Sequence, residues 1–226
     1  IDQAVDLNDV NNPYNQLEIA NSSIENANNM TGSQNKQVAM AQENGNDTLG
    51  NGYEASKVKL VNETSGVINL TGEETTGIYA KRGIVENKGN ISVGKKSTAI
   101  YVVEDDRGPT GRQSTTASNE AGGIIKLGEN STGIYYKVDS AGANTNEAGG
   151  IINAGTIESS SNDVIAMSYD NPHSNSRVFK NEATGLIDLK GQKSTAMYAT
   201  GGGTYSATND GTIKLANSDD ANSPNI

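Results

Sequence analysis

An all-β fold, a parallel β-solenoid of about seven coils with lateral loops, is the architecture this sequence predicts, and three observations predict it. Short apolar stretches alternate with polar residues at period two, two phrases recur in tandem along the chain, and the composition is too polar for a thick core. Only 33% of the 226 residues are hydrophobic and 4% aromatic, with no tryptophan, one phenylalanine (Phe179) and no cysteine. A chain this polar can still fold if small repeated units extend one narrow core lengthwise. No 3.6-residue pattern supports helices.

The first phrase reads NETSGVINL at 62–70, NKGNISV at 87–93, NEAGGIIKL at 119–127, NEATGLIDL at 181–189 and NDGTIKL at 209–215. Within it Ile68 and Leu70, Ile125 and Leu127, Ile187 and Leu189, and Ile213 and Leu215 alternate with polar residues, the signature of a half-buried strand. The second phrase reads GEETTGIYA at 72–80, GKKSTAIYV at 94–102, GENSTGIYY at 128–136 and GQKSTAMYA at 191–199. There Ile78, Ile100, Ile134 and Met197 take the inward position and Tyr79, Tyr101, Tyr135 and Tyr198 face out. A third apolar piece precedes each leading asparagine, as in Val58–Val61, Ile84–Val85 and Val178–Phe179, completing three strands per unit.

Two divergent copies, NANNMTGSQNKQVAMA at 26–41 and NEAGGIINAGTIESSSNDVIAM at 146–167, complete the series. With Asn26, Asn62, Asn87, Asn119, Asn146, Asn181 and Asn209 as anchors, the units are 36, 25, 32, 27, 35 and 28 residues long. The copy at 146 then carries an extra turn-like insertion. Seven coils at about 4.8 Å each give a rod section on the order of 35 Å. Glycine and asparagine mark the bends, because both tolerate positive φ and asparagine side chains can bond their copies in neighbouring coils. Residues 1–25 are expected to form an irregular or partial first coil, 26–215 the coils proper and 216–226 a truncated next coil, all one domain cut from something longer.

Length variation is concentrated between the tyrosine strand and the next asparagine, notably in VVEDDRGPTGRQSTTAS after Tyr101 and in MSYDNPHSNSRVFKN at 167–181. These passages are expected to leave the rod at one corner and cluster laterally.

Charge and composition exclude several functions. A net charge of −10 leaves no clustered Lys and Arg for nucleic acid, and disfavours anionic membrane surfaces. No stretch approaches the roughly 20 apolar residues of a membrane-spanning helix, and Ile1 opens no signal peptide. The absence of cysteine removes disulfides, thiolate metal sites and a cysteine nucleophile.

The pattern Asn-x-x-Gly-Ile-Ile-x-Leu-Gly-x-x-Ser-Thr-Gly-Ile-Tyr, with its polar loops, resembles the passenger region of large bacterial autotransporter adhesins, of the fusobacterial outer-membrane type, over residues 20–226. The resemblance implies a right-handed parallel β-helix, displayed at the cell surface by a carboxy-terminal barrel outside this chain. It also implies attachment to a host-cell glycan or protein receptor or to partner bacteria. Family members bind different ligands through unshared parts, so no binding residue carries over. The segments also resemble the heads of trimeric autotransporter adhesins, whose repeats are much shorter than the units here.

The candidate ligand contacts are therefore loop residues: Asp106, Arg107 and Arg112 in the first long loop, Tyr136 and Lys137 in the second, and Tyr169, His173 and Arg177 in the third. Asp105 and Asp106 could bind calcium or polarise a nucleophile, but Asp-Asp-Arg before Gly-Pro reads first as a charged turn. His173 has no nucleophile motif beside it, and Gly201–Gly203 lack the lysine and helix of a phosphate loop. The tyrosine row could stack sugars, yet strand propensity alone accounts for it. The outward positions Asn69, Ser92, Lys126, Asp188 and Lys214 form no dense acidic row, although Asp188 could meet Glu158. The expectation is a monomeric adhesin fragment, not an enzyme, with no metal or cofactor. A spacer rod carrying its binding tip elsewhere and a β-helix polysaccharide-degrading enzyme are the alternatives.

Overall fold

A computed structural model describes residues 5–6, 17–18, 23–43, 59–81, 83–104, 115–139, 149–173, 177–202 and 205–216. Its elements follow one another coil by coil. The first coil runs through β1 (Val5–Asp6), β2 (Leu17–Glu18) and β3 (Ile24–Asn26), and the second through β4 (Asn29–Gly32), β5 (Val38–Glu43) and β6 (Lys59–Asn62). The third contains β7 (Val67–Leu70), β8 (Thr76–Lys81) and β9 (Ile84–Asn87), and the fourth β10 (Asn90–Val93), β11 (Thr98–Glu104) and β12 (Thr116–Asn119). The fifth contains β13 (Ile124–Leu127), β14 (Thr132–Val138) and β15 (Gly150–Asn153), and the sixth β16 (Thr156–Ser159), β17 (Ile165–Asp170) and β18 (Arg177–Asn181). In the seventh are β19 (Leu186–Leu189), β20 (Thr195–Thr200) and β21 (Tyr205–Asn209), after which β22 (Thr212–Leu215) opens another turn.

Every third strand pairs in parallel, giving three sheets: A from β1 to β22 with eight strands, B from β2 to β20 with seven, and C from β3 to β21 with seven. This is a right-handed parallel β-helix. Its core is a set of ladders, since each inward residue meets its counterpart one coil on. Ile68, Ile91, Ile125, Ile157 and Ile187 stack in register inside sheet A, all fully buried. Ile78, Ile100, Ile134 and Met167 do so in sheet B. The small residue before each of these, Gly77, Ala99, Gly133 or Ala166, also points inward and fills the remaining width. A Cβ on Gly133 would run into the carbonyl oxygen of Ala166 in the next coil, so the position tolerates nothing bulky.

The corner between sheets C and A is held by an asparagine ladder. The Nδ2 of Asn26 donates to Asn62 Oδ1 at 2.8 Å, and the same bond runs from Asn62 to Asn87 and from Asn87 to Asn119. It continues from Asn119 to Asn153, Asn153 to Asn181 and Asn181 to Asn209, each at 2.7 or 2.8 Å. All six point the same way, so they polarise one another inside a dry corner.

This ladder corrects one anchor. Asn153, not Asn146, is the fifth-coil asparagine, which makes the intervals 34 and 28 residues from Asn119 through Asn153 to Asn181. Asn146 lies outside the described residues. The peptide Asn-Glu-Ala-Gly-Gly occurs twice in different places: the copy at Asn119 turns from sheet C into sheet A, whereas the last residue of the second copy, Gly150, opens β15 of sheet C. Gly150 has φ 140°, and a Cβ there would collide with the Val178 carbonyl. The turn after Asn153 is the short Ala154–Gly155, matching Lys88–Gly89 and Asp210–Gly211, so there is no inserted turn.

Candidate functional site

From the second coil to the seventh the links from sheet A to sheet B are uniform, at 33–37, 71–75, 94–97, 128–131, 160–164 and 190–194, and those from C to A are short, whereas in the first coil residues 7–16 separate β1 from β2. Over those six coils it is the links from B to C that vary widely, spanning 44–58, 82–83, 105–115, 139–149, 171–176 and 201–204. The strands on either side of the long passages therefore end and resume at one corner, between sheets B and C. Asp105, Asp106, Arg107 and Arg112 fall outside the described residues, so the site can be built only from the stems of these excursions and the adjoining face of sheet B.

The stems meet in the interior. Sheet B strands continue at period two past the outward tyrosine, which turns the next residue inward and produces the row Gln42, Ala80, Val102, Tyr136, Tyr169, Ala199. Tyr136 and Tyr169 are completely buried, and the expectation that they are exposed loop contacts is corrected on this ground. Their rings stack with centroids 5.8 Å apart, and Tyr169 stacks on Phe179 at 6.0 Å.

Arg177 is likewise buried. Its Nε donates to Glu104 Oε2 at 2.8 Å and its second guanidinium nitrogen to Glu104 Oε1, a forked ion pair between residues 73 apart in sequence. The Tyr136 hydroxyl donates to Glu104 Oε2 and lies 2.9 Å from the Thr115 carbonyl oxygen. Asn171 Nδ2 donates to the Tyr169 hydroxyl at 2.8 Å, and the His173 backbone N–H to Asn171 Oδ1 at 3.0 Å.

One cluster thus grips three excursions: Glu104 and Thr115 bracket the link of the fourth coil, Tyr136 and Gly149 that of the fifth, and Asn171 and Arg177 that of the sixth. Arg177 reaches Glu104 across the intervening coil where Gly149 stands, and a Cβ on Gly149 would lie 3.3 Å from the Tyr136 hydroxyl. No part of this cluster presents a reactive group to solvent. Its role is to fix loop stems.

Of the remaining candidates, His173 is half-buried and Lys137 half-exposed, the latter paired with Asp139 at 2.5 Å. On the outer face of sheet B, Tyr79, Tyr101 and Tyr135 occupy one row, with Tyr79 meeting Tyr101 edge-on at 5.5 Å and Tyr101 stacked on Tyr135 at 5.1 Å. The faces of Tyr101 are therefore occupied by its neighbours, and that part of the row offers edges rather than a sugar platform.

Burial holds the phenols of Tyr135 and Tyr169 up at about 12, Asp170 adding to the rise at Tyr135, and burial with Glu104 alongside drives Tyr136 well above the usual range. A group whose folded pKa is raised stabilises the fold fully below its unfolded pKa and loses that contribution as pH climbs to the folded one. The midpoint of thermal unfolding is thus expected to fall between about pH 10 and 12. A midpoint unchanged across that window would contradict the burial of these rings.

On sheet A, Glu158 and Asp188 stand side by side in register, lining a cleft of about 270 Å³ with Lys126, Ser159 and Lys190. Lys126 pairs with Glu158 at 3.3 Å and Lys190 with Asp188 at 3.7 Å. Among the described residues no group of three or more His, Cys, Asp or Glu side chains comes together as a metal site.

The sequence matches, over residues 4–225, the family described as the BigA third pectate lyase-like domain. The chain belongs to that family. Comparisons with curated proteins and with solved structures returned no match. As a BigA-type pectate lyase-like domain it has the β-helix its repeats predict, while the family description carries no reaction over to this chain. Among the described residues of this pectate lyase-like domain, no helix is long and apolar enough to cross a membrane.

Proposed function

We propose that this domain is an adhesive module of a bacterial surface protein, of the autotransporter kind its sequence resembles, recognising a host-cell glycan or protein, or a partner bacterium, through loops held on a rigid β-helix. One observation carries this reading: from the second coil to the seventh the wide variation in link length lies at the corner between sheets B and C, and the stems of three excursions are bound to one buried cluster. A scaffold with fixed sheets and variable, well-anchored loops is how binding surfaces are commonly varied. Asp106, Arg107 and Arg112 remain the ligand contacts of choice, together with Lys137 and His173. Arg177, Tyr136 and Tyr169 become positioning residues.

Adding the purified domain to an adhesion assay, with bacteria displaying it and a panel of mammalian cells and bacteria as targets, separates this from a spacer rod. The domain is expected to compete; a spacer would not. A polysaccharide-degrading enzyme is the second reading, favoured by Glu158 and Asp188 in their cleft, and release of soluble products from a polysaccharide panel would replace the adhesive proposal with that one.

A further inference from the structure

The inner row at the end of the sheet A strands has one small residue. From the third coil on it runs Leu70, Val93, Leu127, Ser159, Leu189, Leu215, so every rung carries leucine or valine except the sixth. The Ser159 hydroxyl does not replace the missing side chain, because it turns to the backbone. It donates to the Leu127 carbonyl at 2.7 Å and accepts from the Ser161 N–H at 3.0 Å. At this rung lies the cleft of about 270 Å³, bounded by Lys126, Leu127, Glu158, Ser160, Asp188 and Lys190 around Ser159. We infer that this cleft is a binding subsite for one neutral pyranose ring, held through its hydroxyls by the charged side chains of three successive coils.

The polar groups at its rim are open to solvent. Glu158 and Asp188 keep 39% and 20% of their side-chain surface exposed, and Lys126 and Lys190 keep more. Lys126, Glu158 and Asp188 stand in register on successive strands, so two carboxylates are neighbours on rungs about 4.8 Å apart. Lys126 reaches Glu158 at 3.3 Å and Lys190 reaches Asp188 at 3.7 Å. Exposed pairs of this kind contribute little, so hydroxyls of a ligand can enter between them. Ser159 also leaves a backbone donor behind. Its hydroxyl occupies the Leu127 carbonyl, and the Ser160 N–H, whose counterpart at Lys190 bonds the Ser159 carbonyl at 2.8 Å, makes no hydrogen bond with the described residues.

A pyranose suits this rim because each of its hydroxyls both donates and accepts. Neighbouring hydroxyls can donate to Glu158 and Asp188 while accepting from Lys126, Lys190 or the Ser160 N–H. The apolar C–H face of the ring then lies toward Leu127, the one apolar residue of the lining. The volume falls just short of the roughly 300–1,000 Å³ of pockets that take drug-sized ligands, which fits a single ring. Two carboxylates and two ammonium groups sum to zero charge, and the chain as a whole carries −10, so an acidic sugar gains nothing here.

The subsite lies on sheet A, and it rests neither on adhesion through the B-to-C links nor on cleavage of a polysaccharide. Saturation-transfer NMR on the whole domain tests it, with methyl β-galactopyranoside, methyl α-mannopyranoside and methyl β-glucopyranoside as probes and putrescine as a cationic control. The expected result is transfer to the ring protons of at least one glycoside, lost in Asp188→Ala and in Ser159→Leu, which returns a leucine to the row and closes the cleft. Circular dichroism and the unfolding temperature check both variants. Ser159→Leu gives up two hydrogen bonds, whereas Asp188→Ala changes only the outer face and should fold as the parent does. A variant shortened at 105–114 should keep the signal even where adhesion is lost. Absence of transfer to every glycoside, transfer to putrescine alone, loss of the signal in the shortened variant, or transfer undiminished in folded Asp188→Ala would overturn the inference.

Discussion

Replacing Asn119 with alanine is expected to destabilise the domain by about 2–5 kcal/mol, since it strands buried donors and acceptors on both sides. Asn87 Nδ2 loses its acceptor, and Asn153 Oδ1, Gly123 O and Thr156 O lose the donor they share. Against a total stability on the order of 5–15 kcal/mol, that is a large fraction. Asn209 ends the ladder and is exposed, so Asn209→Ala should cost less than about 1 kcal/mol by the same reasoning. Denaturant unfolding of the two variants side by side makes the comparison, and equal shifts would show that the ladder does not carry the corner.

The buried ion pair gives the second large effect. Arg177→Met leaves the Glu104 carboxylate with the Tyr136 hydroxyl alone, in a place from which water is excluded, and is expected to cost about 3–5 kcal/mol. Glu104→Met should cost a comparable amount by taking the carboxylate away from a buried guanidinium, whose proton that carboxylate holds more tightly than usual. The double variant is expected to be more stable than either single one, because two apolar side chains replace two paired charges without orphaning either. Stability would then be recovered while the tie between the loop stems is lost, so adhesion should stay impaired. Full adhesion in a stable double variant would remove the positioning role assigned to this pair. Strictly additive losses in unfolding free energy would instead mean that the two side chains are not coupled.

The solenoid was legible because its physics is repetitive. Parallel stacking demands the same residue type at the same place in every coil, and Ile78, Ile100 and Ile134 or Ile68, Ile125 and Ile187 announce it at period two. The fifth-coil anchor was misplaced because Asn146-Glu-Ala-Gly-Gly repeats the peptide at Asn119, and local identity says nothing about which strand a peptide pairs with. The better signal was Asn153-Ala-Gly-Thr-Ile, which matches Asn87-Lys-Gly-Asn-Ile and Asn209-Asp-Gly-Thr-Ile in spacing.

Burial at the loop stems was harder to see. Tyr136, Tyr169 and Arg177 sit in polar surroundings along the chain, and only the coil geometry brings Glu104 to Arg177 across 73 residues. Period two continued through Tyr135, Tyr136 and Lys137 would have turned Tyr136 inward had the strand been extended past the tyrosine.

The measurement that tests the central claim most directly is adhesion by a domain in which residues 105–114 are replaced by the short link Arg82-Gly83 of the third coil, keeping Glu104 and Thr115 in place. Circular dichroism and the unfolding temperature are expected to match the parent, and binding to target cells is expected to be lost. A correctly folded variant that adheres as well as the parent would contradict the assignment of recognition to the loops at this corner.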